Sequence, residues 1–166
     1  FTAEEIVMTG RTPYQGRFEG TSIGDKEAVY RAFSLTKADK LKDKKFAILS
    51  GGEKQKIVIA RAVAQTTPWM LLDEPIASLD IKNQIEIMQT LSELNRQEGV
   101  SVLMVLHDIN LAGIYCDRLI MLKDGRVIAA GNTNECLCEE NLKKLYDISF
   151  FHMDTKKGQR YYYAEI

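Results

Sequence analysis

The sequence predicts an α/β protein in which a parallel sheet is joined to a mainly helical region. Three observations carry this. Trp69, Met70, Leu71 and Leu72 run without a break into Asp73-Glu74-Pro75, the pattern of a buried parallel strand. Residues 80–98 then show helical periodicity, and Ser101 to Leu106 is a second apolar run, so the stretch reads as a β-α-β unit. Upstream, residues 1–66 carry caps and helical spacing.

The 166 residues suffice for a domain with a real core. Hydrophobic residues make up 45% and charged residues 27%, as in a globular protein. A net charge of -1 offers no bulk field for nucleic acid or anionic lipid. Apolar runs of about six residues are far too short to span a bilayer. The chain begins at Phe1 rather than Met and shows no signal peptide, which suggests a piece of something longer. Cys116, Cys136 and Cys138 form no Cys-x-x-Cys pair, so they read as ordinary thiols in a reducing compartment.

Thr2 caps a short helix that begins at Ala3. Residues 10–24, rich in Gly and holding Pro13, read as a loop. Asp25 is the expected cap of a second helix with Ala28, Val29, Ala32 and Phe33 on one face. Lys37 to Lys45 alternates Lys and Asp and reads as a solvated helix face. Ser50 opens a third helix. Asp80 caps the fourth, with Ile81, Ile85, Met88, Leu91 and Leu94 facing inward and Gly99 closing it. A short helix follows Asp108. Strands at Arg118–Leu122 and Arg126–Ala130 flank an Asp124-Gly125 hairpin turn. The tail has helical spacing through Leu142, Leu145 and Tyr146. A hairpin closes it, pairing Phe150-Phe151 with Tyr161 to Tyr163 around Lys-Lys-Gly.

Chemistry is expected beyond the carboxyl ends of the parallel strands. Asp73 and Glu74 end one strand and His107 follows the next, so two carboxylates and an imidazole are expected at one sheet edge. Neighbours on an extended chain diverge, and Pro75 is expected to hold Glu74 extended. Separate tasks follow: Asp73 toward a hydrated Mg²⁺, Glu74 toward a water. An isolated Asp-Glu-Pro more often just ends a strand, and a lone histidine is more often structural. Ser50-Gly51-Gly52-Glu53 is by itself a capping box. That reading leaves Gly51 and Gly52 unexplained, since each costs about 1 kcal/mol against Ala in a helix. Close approach of a phosphate to bare backbone N–H groups is one reason to keep them.

Together these stretches resemble the C-terminal two-thirds of an ABC ATPase domain, in the family's order. Leu49-Ser50-Gly51-Gly52-Glu53 resembles the signature motif and Met70 to Glu74 the Walker B strand. Ala77-Ser78-Leu79-Asp80 resembles the D-loop and His107 the switch histidine. Thr9 to Tyr14, His107 to Ala112, Tyr115 to Arg118, Leu122 to Arg126 and Glu140 to Leu142 resemble importers of iron-siderophore, haem or cobalamin. The resemblance implies an incomplete P-loop NTPase core with a parallel sheet plus an α-helical subdomain. It divides the chain into residues 1–66, a helical subdomain with the signature and its helix; 67–131, the Walker B, D-loop and switch part; and 132–166, a C-terminal helix and hairpin.

The resemblance also implies roles. Glu74 would polarise the attacking water and His107 would hold the γ-phosphate. Asp73 would serve Mg²⁺, and Asp80 would couple two sites. Ser50, Gly51, Gly52 and Glu53 would meet ATP held by a second ATPase subunit. Membrane permease subunits, and indirectly a substrate-binding protein, would be partners at the cytoplasmic face of the membrane. No nucleic acid is implied. No Gly-x-x-x-x-Gly-Lys followed by Ser or Thr occurs in the 166 residues. The chain by itself is therefore expected to bind ATP poorly and hydrolyse it negligibly. The Val102–Leu106 strand is expected to have an unpaired edge and to promote self-association. DNA-organising and repair ATPases share the pentapeptide, but the heptads and basic stripe expected of them are missing. A non-enzymatic docking module is the remaining alternative.

Overall fold

A computed structural model describes residues 1–16, 20–156 and 158–165. Its contacts divide the chain into two compact units, Phe1–Val105 and Leu106–Ile166.

The first unit opens with α1 (Ala3–Met8), capped by a reciprocal Thr2–Glu5 box. Residues 9–14 form a tight 3-10 turn around Pro13 instead of an open loop; residues 17–19 of the expected loop lie outside the described residues. Next comes α2 (Ile23–Leu35). Its cap is Ser22, and Asp25 is the reciprocal third-position partner rather than the cap. The expected solvated helix over 37–45 is only a 3-10 turn at Asp39–Leu41, with Ala38 and Leu41 buried. The backbone explains this: carbonyls of Lys42 and Lys44 accept from the N–H groups of Glu4 and Ala3 (3.0 and 2.9 Å), satisfying the otherwise orphaned start of α1.

Then come α3 (Gly51–Ala64), β1 (Trp69–Leu72), α4 (Ile81–Glu98) and β2 (Ser101–Met104). Helices α1 and α2 both pack on α3 around Val7, Val29, Phe33, Leu49, Ile57 and Ala60. Burying an aliphatic or aromatic side chain of this kind contributes roughly 1.5–3 kcal/mol. The two strands are parallel, in register Trp69 with Ser101 through Leu72 with Met104. The Val105 N–H donates to the Leu72 carbonyl at 3.0 Å, extending the pairing one step. The strands are buried on one face only. Met70 is buried, but Trp69 is 61%, Leu71 72%, Leu103 53% and Val105 50% exposed. Against the expectation of buried strands, three of the eight side chains of β1 and β2 are exposed. Period-2 alternation sends Trp69 and Leu71 away from the face that carries Met70. Helix α4 also differs from expectation. Its buried residues are Ile87, Met88, Thr90, Leu91 and Leu94, while Ile81 and Ile85 are exposed. Gly99 closes it in the left-handed region at φ 68°.

The second unit contains α5 (Ile109–Tyr115), β3 (Arg118–Lys123), β4 (Arg126–Asn132), α6 (Thr133–Cys136), α7 (Glu139–Tyr146), β5 (Phe150–Asp154) and β6 (Arg160–Ala164). Strands β3 and β4 form the expected hairpin, with Asp124 and Gly125 at φ 52° and 72°. Strands β5 and β6 form the second hairpin; Lys157 of its turn lies outside the described residues. Met121, Cys136, Leu137, Leu142 and Tyr162 make the core. The Asn110 side chain pairs with the Tyr162 backbone in both directions, accepting from its N–H at 2.8 Å and donating to its carbonyl at 3.2 Å. That fastens the tail hairpin to α5. Among the described residues no helix is long and apolar enough to cross a membrane.

Candidate functional site

The start of α3 has the predicted geometry. The Ser50 Oγ accepts from the Glu53 N–H at 3.3 Å, and Glu53 Oε2 accepts from the Ser50 N–H at 2.9 Å. Lys44 Nζ lies 3.3 Å from Glu53 Oε1. Bonds from the Ser50 backbone and hydroxyl, then Lys44, hold the Glu53 carboxyl below its usual range. Glu53 is thus spent on the cap. The Ser50 hydroxyl hydrogen points to the Glu53 carboxylate, and the first-turn N–H groups of Gly51 and Gly52 lack intrahelical acceptors. The end has the polarity for an anion.

The two glycines differ in their surroundings. Gly51 is exposed, and a Cβ there would meet only Leu79 Cδ2, at 3.7 Å. Gly52 is buried, and a Cβ there would lie 2.3 Å from Asn83 Oδ1 and 2.4 Å from its Cγ. The second glycine therefore has a reason inside the chain besides the phosphate approach that the sequence offered as one reason. Asn83 belongs to the first turn of α4. Its N–H donates to Asp80 Oδ1 at 2.8 Å and its Nδ2 to Asp80 Oδ2 at 2.9 Å. These bonds, the backbone one foremost, lower the Asp80 pKa. One turn on, Lys56 Nζ meets Glu86 Oε2 at 2.7 Å and lowers the Glu86 pKa. The structure thus brings the signature residues together with Leu79, Asp80 and Asn83.

Asp73 and Glu74 follow β1 and are exposed. Glu74 is not extended, as its position before proline suggested. Its φ is 45°, in the left-handed region, and its carbonyl accepts from the Ala77 N–H at 3.1 Å. Ser78 is also left-handed, at φ 62°. Backbone of this kind in non-glycine residues costs about 1–3 kcal/mol and concentrates at functional sites. Asp73 is a hard oxygen donor. Among the described residues no group of three or more His, Cys, Asp or Glu could hold a metal. One carboxylate suits Mg²⁺, which keeps several waters and shares substrate phosphates. His107 is exposed in the second unit, between β2 and the Asp108 cap of α5; Asp108 Oδ1 accepts from the Asn110 and Leu111 N–H groups, both at 2.8 Å.

Sequence reasoning missed a hub at the far end of α3. Arg11 Nε donates to Asp25 Oδ1 at 2.9 Å, and its Nη1 to the Ala64 carbonyl at 2.9 Å and Thr66 Oγ1 at 3.1 Å. Its guanidinium lies 3.9 Å from the Tyr14 ring centroid. Arg11 and then Ser22 bring the Asp25 pKa down to about 2. A Cβ on Gly10 would sit 2.3 Å from the Arg61 carbonyl oxygen, so the turn presses directly on α3. The Thr9–Tyr14 stretch thereby acquires a structural reason.

Residues 3–77 match the family model for ABC transporters. The ferric enterobactin transport ATP-binding protein FepC of Escherichia coli K12 is 40% identical over 153 residues, covering 92% of this chain and 56% of that protein. A cobalamin import ATP-binding protein, BtuD of Halobacterium salinarum, is 39% identical over 147 residues, covering 89% and 36%. Among solved structures, a chain described as a metal-chelate type ABC transporter in an inward-facing conformation superposes with a TM-score of 0.94 at 26% identity, covering all of this chain and 67% of that one. The ATP-binding cassette MJ0796, solved as a dimer bound to ADP and Pi, gives 0.65 at 33% identity, covering 80% and 57%. The chain spans about half the length of the curated relatives it matches. The chain has the ABC ATPase fold, and its residues 3–77 belong to the ABC transporter family.

Proposed function

We propose that this chain supplies the signature, Walker B and switch-histidine parts of the ATP-hydrolysing subunit of an importer for a metal chelate: an iron(III)-siderophore, haem or cobalamin. The observation that carries the reading is the capped, glycine-lined start of α3, packed beside Leu79 and Asp80. Relatives whose names specify ferric enterobactin and cobalamin support the substrate class.

In this reading the Ser50 hydroxyl turns its hydrogen from Glu53 to a phosphate oxygen of ATP held by a second subunit, and Gly51 and Gly52 donate their N–H groups to the same phosphates. That stabilises charge as it spreads over the transferring group. Glu53 positions Ser50. Glu74 orients and polarises the attacking water, and its left-handed backbone aims the carboxylate independently of the strand. Asp73 would hold Mg²⁺, which would shield phosphate charge. His107 donates to the γ-phosphate, and Asp80 links the two nucleotide sites. Permease subunits and, through them, a substrate-binding protein complete the assembly at the cytoplasmic membrane face.

Mg²⁺-dependent ATP hydrolysis by the protein as the cell makes it, assayed with its permease, tests this. Glu74→Gln is expected to cut kcat about 10²–10³-fold with little change in ATP binding. Unchanged turnover would remove Glu74 from the mechanism. The isolated 166 residues lack a phosphate loop, so weak or no ATP binding is expected from them alone. Micromolar affinity by calorimetry would overturn that.

A further inference from the structure

We propose that Asn83 is a positioning residue: it seats in the hollow left by Gly52 and holds the start of α3 and the Ala77–Asp80 segment as one piece. The role rests on the nucleotide-binding reading of Ser50 and Gly51. The contact itself does not.

Four observations combine. Where a Gly52 Cβ would be, the Asn83 amide already stands, with Oδ1 at 2.3 Å, Cγ at 2.4 Å and Nδ2 at 2.9 Å from that position. The amide is not free to swing aside without loss, because Nδ2 donates to Asp80 Oδ2. Beside it, Leu79 Cδ2 faces Gly51 at 3.7 Å. One turn along both helices, Lys56 and Glu86 form a second cross-link at 2.7 Å. Residues 52 and 56 of α3 thus pair with residues 83 and 86 of α4, spacings of four and three that place each set on one helix face. Rotation of α3 about its axis would break both links together. The residues proposed to touch phosphate and the residue proposed to couple the sites therefore share one rigid joint.

This gives Gly52 a function different from phosphate approach, and the two can be separated by compensation. In Gly52→Ala the new methyl must displace the Asn83 amide from Asp80. In Gly52→Ala/Asn83→Ala the methyl has room. The first readout is the thermal midpoint of the 166-residue chain without nucleotide, which does not depend on the functional reading. Gly52→Ala is expected to lower it by roughly 4–8 °C and Asn83→Ala by less. The double variant is expected to melt close to Asn83→Ala, a non-additive cycle between touching residues. The second readout is ATP turnover by the protein as the cell makes it. Gly52→Ala should lose about ten-fold, and the double variant should recover at least about five-fold of it.

Additive melting would overturn the contact. Non-additive melting with no recovery of turnover would overturn the positioning role and leave Gly52 to the phosphate. Absence of turnover in the unsubstituted protein would refute the ATPase reading, and with it the positioning role, while the melting cycle still decided the contact.

Discussion

Single residues were legible where their role is local. Thr2, Ser50 and Asp80 all cap as the sequence indicates, because a cap is decided within four residues. Asp25 was misassigned for the same reason: Ser22 and Asp25 each suit a cap, and only the reciprocal bond pattern separates them. What no local rule could supply is Arg11, fourteen residues from Asp25 and fifty-three from Ala64. This ion pair is nearly out of solvent, with side chains 11% and 4% exposed. Replacing Arg11 with Met would leave Asp25 to Ser22 alone and unsatisfy the end of α3. The thermal midpoint is expected to fall by roughly 5–10 °C at neutral pH. The folded pKa of Asp25 is depressed from 3.8 to about 2. The Arg11 contribution is therefore complete above the unfolded value and lost as pH falls through the folded one. Melting curves of the two proteins should converge between about pH 4 and pH 2; a gap that stays constant over that window would exclude the ion pair as its cause.

Elements were legible by type and less so by face. Every long helix and both hairpins are where periodicity and turn chemistry put them. Helix α4 shows the limit: its apolar residues admit more than one stripe, and the buried one runs through Ile87 rather than Ile81 and Ile85. Packing against neighbours selects the stripe, and a single helix does not encode its neighbours. The 3-10 turn at Thr9–Tyr14 teaches a related lesson, since its Gly10 reads as a loop glycine but serves helix approach. Gly10→Ala places a methyl 2.3 Å from the Arg61 carbonyl oxygen, a backbone atom of α3 that cannot rotate away. The turn must lift off α3, at a cost of about 1–3 kcal/mol in chemical denaturation. An unchanged denaturation midpoint would mean that the turn and α3 are not in contact in solution. Ser50→Ala tests the other end of α3. Loss of the cap is expected to cost about 1 kcal/mol, while any effect on ATP turnover should exceed that of an equally destabilising change at Thr2, which caps α1 and is not among the proposed phosphate contacts.

At the scale of the whole chain the sequence and the structure meet on the sheets. A run such as Trp69 to Leu72 signals burial on both faces, yet in this chain each unit carries a sheet with one apolar face open to solvent. In the first unit Trp69, Leu71, Leu103 and Val105 share that face, and β2 pairs with β1 along one side. In the second, Ile120, Leu122 and Val127 do the same on the β3–β4 hairpin. Apolar surface of this kind, beside a strand that among the described residues is paired along one side, is a template for another chain. The 166 residues are therefore expected to self-associate, with apparent mass by light scattering rising with concentration. The charge placement makes the idea specific. Leu71 and Leu103 point outward, so Leu71→Lys/Leu103→Lys adds two like charges to the open face without touching Met70 or the side that α4 covers. That variant should keep its secondary structure and shift toward monomer at matched concentration, more so at low ionic strength where like charges repel over a longer range. A parent chain that stays monomeric across the whole concentration series would refute the expectation. A parent that associates equally with and without the two lysines would move the contact off this face and onto the strand edge or the β3–β4 hairpin.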